Sequence, residues 1–141
     1  MTNQEYEAVV LAQTCWKLSL SSSIDELIAI GCTIRNHIIP RPGRIVTYRT
    51  WLDACEDFTK VYPIRPLPIS DADSFFLPPN GLISICQELY DCSYPDLTAT
   101  QTTPGALYFA RAAQVSPSDW RHSIIQTRQL LGTFGSQQFF A

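Results

Sequence analysis

Two pairs of neighbouring acids stand out in the chain, Asp25-Glu26 and Glu56-Asp57. Carboxyl groups are the equipment of general acid–base work, above all on glycosidic bonds. Asp25 and Glu26 follow Ser21-Ser22-Ser23 and open a predicted helix. The Ser23-x-x-Glu26 spacing is that of a capping box, with the Ser23 hydroxyl on the Glu26 amide and the carboxylate reaching back. Both acids also suit the positive end of the helix dipole. The serine run is a poor anion site, because no glycine-rich loop accompanies it. Glu56 and Asp57 fall at the end of another predicted helix, where the plain expectation is a solvated terminus. His37 ends a helix, a favourable place for a cation, and His122 follows Trp120-Arg121 in a predicted loop. Neither histidine has a serine or cysteine partner in the sequence that would make a nucleophilic site. The five cysteines, Cys15, Cys32, Cys55, Cys86 and Cys92, include no C-x-x-C pair. Four of them lie in apolar helical patterns, so free thiols in a reducing compartment are expected, with no metal and no cofactor.

The elements that must carry these residues are legible from periodicity. Residues 4–17 predict a helix that is apolar around most of its circumference, with Val9, Leu11, Ala12 and Cys15 in the core. A second helix runs from Ser23 to Ile38, with Leu27, Ile28, Gly31 and Ile34 on one face. Gly31 costs helix propensity, which points to a close approach by another backbone. Pro40 and Arg41-Pro42-Gly43 stop it. Helices are expected over 48–60 and 80–91, separated by a proline-rich passage from Pro63 to Pro79 that is too apolar for a free linker. After a Thr/Pro-rich loop, 106–110 predicts a strand, 118–120 a helical turn, and 123–131 with 137–140 a hairpin. Helices first and a small antiparallel sheet last make an α+β domain, a single one over residues 1–141.

Composition narrows the function classes. At 45% apolar and 16% charged residues, the chain can bury a core and leaves much of its surface neutral. A net charge of −3 argues against nucleic-acid partners. No apolar run reaches the length of a membrane span. The first residues show no basic region followed by an apolar stretch, so synthesis in the cytoplasm without a signal peptide is expected. The neutral surface, with Phe75-Phe76-Leu77-Pro78-Pro79 as its most apolar stretch, suggests contact with other protein chains in an assembly.

In order and spacing, several segments resemble the cell wall hydrolases of the spore-cortex-lytic type. These are Leu11-Ala12 with Trp16, Ala29-Ile30-Gly31 through Arg35-Asn36, Asp57-Phe58-Thr59, Pro95-Asp96-Leu97-Thr98, Gly105-Ala106-Leu107-Tyr108-Phe109, and Phe134 to Phe140. The resemblance implies a lysozyme-like fold and cleavage of the glycan strand of peptidoglycan. It also implies a catalytic glutamate 18 residues before Asn36, where this chain has Leu18. Leucine donates no proton. Gln137 stands for the family's histidine, Phe140 for its tyrosine, and Tyr108 for another histidine. The resemblance therefore implies a pseudoenzyme: a structural or glycan-binding component, of a kind that would suit a bacteriophage virion as a tail, baseplate or internal-core part. Its cleft would hold Trp16, Leu18, Asp57, Tyr108 and Gln137, with Asp57 the sole surrogate acid. Rival readings are an active glycosidase or lytic transglycosylase with a displaced acid, and a bacterial interaction module.

Overall fold

The computed structural model describes residues 2–21, 23–40, 46–65 and 81–141. Four helices come first: α1 (Asn3–Leu18), α2 (Ile24–Asn36), α3 (Trp51–Val61) and α4 (Leu82–Tyr90). Strand β1 (Tyr108–Ala110), a 3-10 turn at Ala112–Gln114, helix α5 (Arg121–Thr127), and strands β2 (Leu130–Phe134) and β3 (Gln137–Phe140) complete the α+β domain.

Helix α1 starts at a capping box the sequence reading did not single out: Thr2 accepts from the Glu5 amide, and Glu5 reaches back to the Thr2 amide. Leu11, Ala12 and Cys15 are fully buried, whereas Val9 is half-buried. The most enclosed helix is α2, buried at every position from Glu26 to Asn36. It packs against α1, α3, α4 and the sheet. Gly31 makes this possible, since a Cβ there would sit 2.7 Å from Leu89 of α4 and 3.4 Å from the Cys15 sulfur of α1. The close neighbours are thus side chains of two helices and not, as expected, another backbone.

The sheet has strand order β1-β3-β2 and is antiparallel throughout. Tyr108 faces Phe140 and Phe109 faces Phe139 across β1 and β3. A bulge between Leu130 and Gly132 shifts β2 against β3. The buried faces of Phe109 and Phe139 continue into Tyr62 and Phe58 of the α3 region, with ring centres 4.2 Å apart for Tyr62 and Phe109.

Three expectations need correction. The capping box at Ser23 and Glu26 does not form, because Glu26 is turned inward. The expected first hairpin arm, 123–131, is mostly helix, and pairing begins only at Leu130. Asp119 explains this: its carboxylate takes the Arg121 amide and the Arg121 guanidinium, which starts a helix that Ile124-Ile125 would have favoured as strand. The third helix begins at Trp51, not 48, because Thr50 caps it by accepting the Asp53 amide. The Phe75–Pro79 stretch, and most of the proline-rich passage, lie outside the described residues.

Candidate functional site

The five cleft residues expected from the resemblance fall into two places. Trp16, Leu18 and Gln137 lie around the end of α1. Leu18 is fully buried, so its side chain is part of the core. Gln137 is also buried and donates its side-chain amide to the Leu18 carbonyl at 3.1 Å. Trp16 is half-buried beneath the Arg65 guanidinium, 3.8 Å from its ring centre. Arg65 also donates its Nε to the Ser19 carbonyl at 3.0 Å.

At this end of α1 the structure adds a residue that sequence reasoning assigned to capping. Glu26 is fully buried and takes six donors. One carboxylate oxygen accepts from the Ser19 hydroxyl, the Leu20 and Ser21 amides at 3.0 Å each, and the Ser21 hydroxyl at 2.9 Å. The other accepts from the Ser136 amide at 3.0 Å and hydroxyl at 2.6 Å. Burial pushes its carboxyl upward, but the bonds from Ser136, Ser19 and Ser21 outweigh burial and hold it below the usual carboxylate range. A general acid needs the opposite, a proton kept near neutral pH. Glu26 therefore fastens the loop after α1 to the β2–β3 turn. The serine cluster on both sides was the available signal, read as a cap because the distant Ser136 is invisible to local spacing.

Asp57 and Tyr108 belong to a second place. A cavity of about 450 Å³ opens between the end of α2, the residues before α3, α3 itself and β1. Its walls are Tyr48, Phe58, Tyr62, Tyr108 and Trp120, with His37 among them. Asp57 is exposed; burial first, then the nearby Asp57 carboxylate, raises the Tyr48 phenol. Burial likewise pushes the Tyr62 phenol well up. Trp120 is 44% exposed and donates its indole N–H to the Val61 carbonyl at 3.3 Å. Phe109, beside Tyr108, is buried core. His37 fixes the pocket: its Nε2 donates to the Leu107 carbonyl at 2.7 Å, while its own carbonyl accepts the Thr47 and Tyr48 amides.

A third polar group sits in the core. Arg35 donates to the Tyr94 carbonyl at 2.7 Å and Asn36 to the Ala106 carbonyl at 3.0 Å. Asp96 accepts the Thr98 amide and hydroxyl, and that hydroxyl accepts the Ala106 amide. At Gly105 a Cβ would lie 2.1 Å from the Asp96 carboxylate, so only glycine fits. Three of the sequence segments singled out above thus converge on one structural knot.

Cys15, Cys32, Cys55 and Cys86 are buried free thiols and Cys92 is exposed. Burial pushes Cys32 and Cys55 up to about 11, which makes them poor nucleophiles. Among the described residues, no group of three or more His, Cys, Asp or Glu is placed to hold a metal, and no helix is long and apolar enough to cross a membrane. What the arrangement offers chemically is an aromatic pocket with one exposed carboxylate beside it and a buried carboxylate held ionised. In comparisons with known proteins, no family model matches the chain, and neither a curated protein nor a solved structure does.

Proposed function

We propose that the chain is a lysozyme-like relative of the cell wall hydrolases that holds glycan without cutting it, as a structural or glycan-binding component of a larger assembly such as a phage virion. The observation that carries this reading is the state of the acids. The position where the resemblance calls for a catalytic glutamate is Leu18, buried in the core. The nearest candidate to replace it, Glu26, is occupied by six donors and kept ionised. The aromatic pocket supports binding. Half-exposed Tyr and Trp faces suit the apolar faces of sugar rings, and 450 Å³ is within the range of small-ligand sites. The convergence of Arg35-Asn36, Asp96 to Thr98 and Gly105-Ala106 on one knot supports the resemblance itself.

One observation favours the rival of a displaced acid: Asp57 lies close enough to Tyr48, in the pocket wall, to raise its phenol. Purified peptidoglycan separates the two. The expected outcome is co-sedimentation of the native chain with peptidoglycan, weakened at least tenfold by Trp120→Ala, and no release of soluble glycan. Release of muropeptides by the native chain, abolished by Asp57→Asn, would establish the rival.

A further inference from the structure

Charge is unevenly spread along the chain. As a whole it carries −3, yet from Ala106 onward it has three arginines, Arg111, Arg121 and Arg128, against one acid, Asp119. This basic stretch supplies Tyr108 and Trp120 to the wall of the aromatic pocket. Arg121 is already neutralised, because Asp119 grips it with both carboxylate oxygens, at 3.2 and 2.9 Å. Arg128 is different. It follows α5, is exposed, and places its guanidinium 5.6 Å from the Tyr108 ring centre. Among the described residues, no carboxylate pairs with it. An uncompensated cation therefore stands over a ring that lines the pocket.

We infer that the pocket takes an acidic saccharide, with a sugar ring on the aromatic wall and a carboxylate of the same molecule on Arg128. The inference deepens the glycan-binding reading above and rests on it. A guanidinium is planar and forked, and it meets a carboxylate with two parallel N–H bonds. A sugar acid carries that carboxylate together with the apolar ring face that Tyr and Trp favour. Other charges fix where the anion goes. The Asp57 carboxylate, near Tyr48, disfavours an anion at that part of the wall, so the ligand's carboxylate belongs beside Tyr108. Lys60, also on α3, is held by Glu56 at 2.9 Å. A cationic ligand would be repelled by Arg128, and a neutral one gains nothing from it. The net charge of −3 repels anions from the molecule at large, so a preference for an anion has to come from a local cation.

The expected gain is about fivefold in affinity, equivalent to about 1 kcal/mol, the upper end for an exposed ion pair. The test is calorimetric titration at pH 7 with three tetrasaccharides. Chitotetraose, the tetramer of N-acetylglucosamine, is neutral. The peptide-free tetramer alternating N-acetylglucosamine and N-acetylmuramate carries its carboxylates on lactyl side arms, and tetragalacturonate carries them on the ring. The native chain should bind at least one of the two acids about fivefold more tightly than chitotetraose. Preference for the muramate tetramer assigns the carboxylate to a cell wall strand freed of its peptides, and preference for tetragalacturonate alone assigns it to a polyuronate; either upholds the inference. Arg128→Gln, at an exposed position that leaves the core intact, should bring the ratio to about one, and Arg128→Lys should keep part of it. In the native chain the preference should also collapse between about 0.05 and 1 M salt, a readout free of any variant. Equal or weaker binding of both acids, or a preference that survives Arg128→Gln, overturns the inference and leaves the glycan reading standing. No binding of any of the three overturns both.

Discussion

Removing the Glu26 carboxylate should cost more stability than any other single surface-to-core polar change in this domain. The site allows the magnitude to be worked out. Three backbone amides, of Leu20, Ser21 and Ser136, and three hydroxyls, of Ser19, Ser21 and Ser136, point at this one group. Bonds to a charged acceptor contribute about 1.5–3 kcal/mol each, and a buried donor left alone costs about 1–3 kcal/mol. Ser21 is exposed and its two donors rehydrate, whereas Ser19 is buried and Ser136 is half-buried. Glu26→Ala should therefore lose about 3–5 kcal/mol, in the range for breaking a buried charged contact. At about 3 °C per kcal/mol, the thermal midpoint falls by roughly 10–15 °C. Glu26→Gln keeps the shape but turns an NH₂ donor toward other donors, so it should lose about 2–3 kcal/mol. The pH dependence gives the sharper check. Donors hold the folded carboxyl below its unfolded value of about 4.3, so the stabilisation is complete above that value and is lost as pH falls through the folded one. Urea unfolding of native and Glu26→Gln should differ at pH 7 and converge near pH 2. A difference under about 0.5 kcal/mol at pH 7, or an equal difference at both pH values, would refute the clamp.

Gly135 has a φ of +61°, and a Cβ there would lie 2.7 Å from the Ser21 hydroxyl and 2.8 Å from the Glu26 Cβ, so Gly135→Ala should destabilise by about 2–3 kcal/mol in the same urea assay. Leu11→Ala, in the fully buried face of α1, should cost about 2–5 kcal/mol; a loss under 1 kcal/mol would place that face outside the core. Gly105→Ala should be worse than either, because the Asp96 carboxylate occupies the space of its Cβ, and loss of soluble expression or a midpoint drop above roughly 10 °C is the expected readout.

Periodicity carried the helical half of the fold because each helix has a face that must be buried. Leu27, Ile28, Gly31 and Ile34 announce α2, and Gly31 announces its tight contact with α1 and α4. Periodicity did not show that α2 is enclosed on every side, since Glu26, Thr33, Arg35 and Asn36 look like a solvated face until their partners are known. Those partners sit far along the chain: Ser136 for Glu26, Tyr94 for Arg35, Ala106 for Asn36. Helix α5 was hidden for a different reason. Its start depends on Asp119 holding Arg121, a local side-chain bond that outweighs the strand preference of Ile124-Ile125. The candidate cleft was split because the resemblance orders residues along the chain, while the sheet sets their separation in space. Tyr108 pairs with Phe140, three residues along β3 from Gln137, which at about 3.3 Å per residue is some 10 Å.

The polar side chains of this domain divide into those that hold backbone and those that face a ligand, and the division accounts for the proposed loss of chemistry. Glu26, Arg35, Asn36, Thr98 and Gln137 are buried, and each bonds a main-chain group. Their bonds join α1, α2 and the loops on either side of the sheet, and removing any one leaves a buried donor or acceptor without a partner. The pocket follows the other rule. Its wall offers aromatic faces, aliphatic carbon, a threonine hydroxyl and an imidazole, and among the described residues no carboxyl group lines it. Breaking a glycosidic bond requires a proton delivered to the leaving oxygen and negative charge near the developing cation. Aromatic faces deliver neither, yet they retain the apolar contact that a sugar ring makes. Under the proposed reading a site built this way holds a glycan without cutting it, while the buried carboxylate beside α1, Glu26, serves the fold.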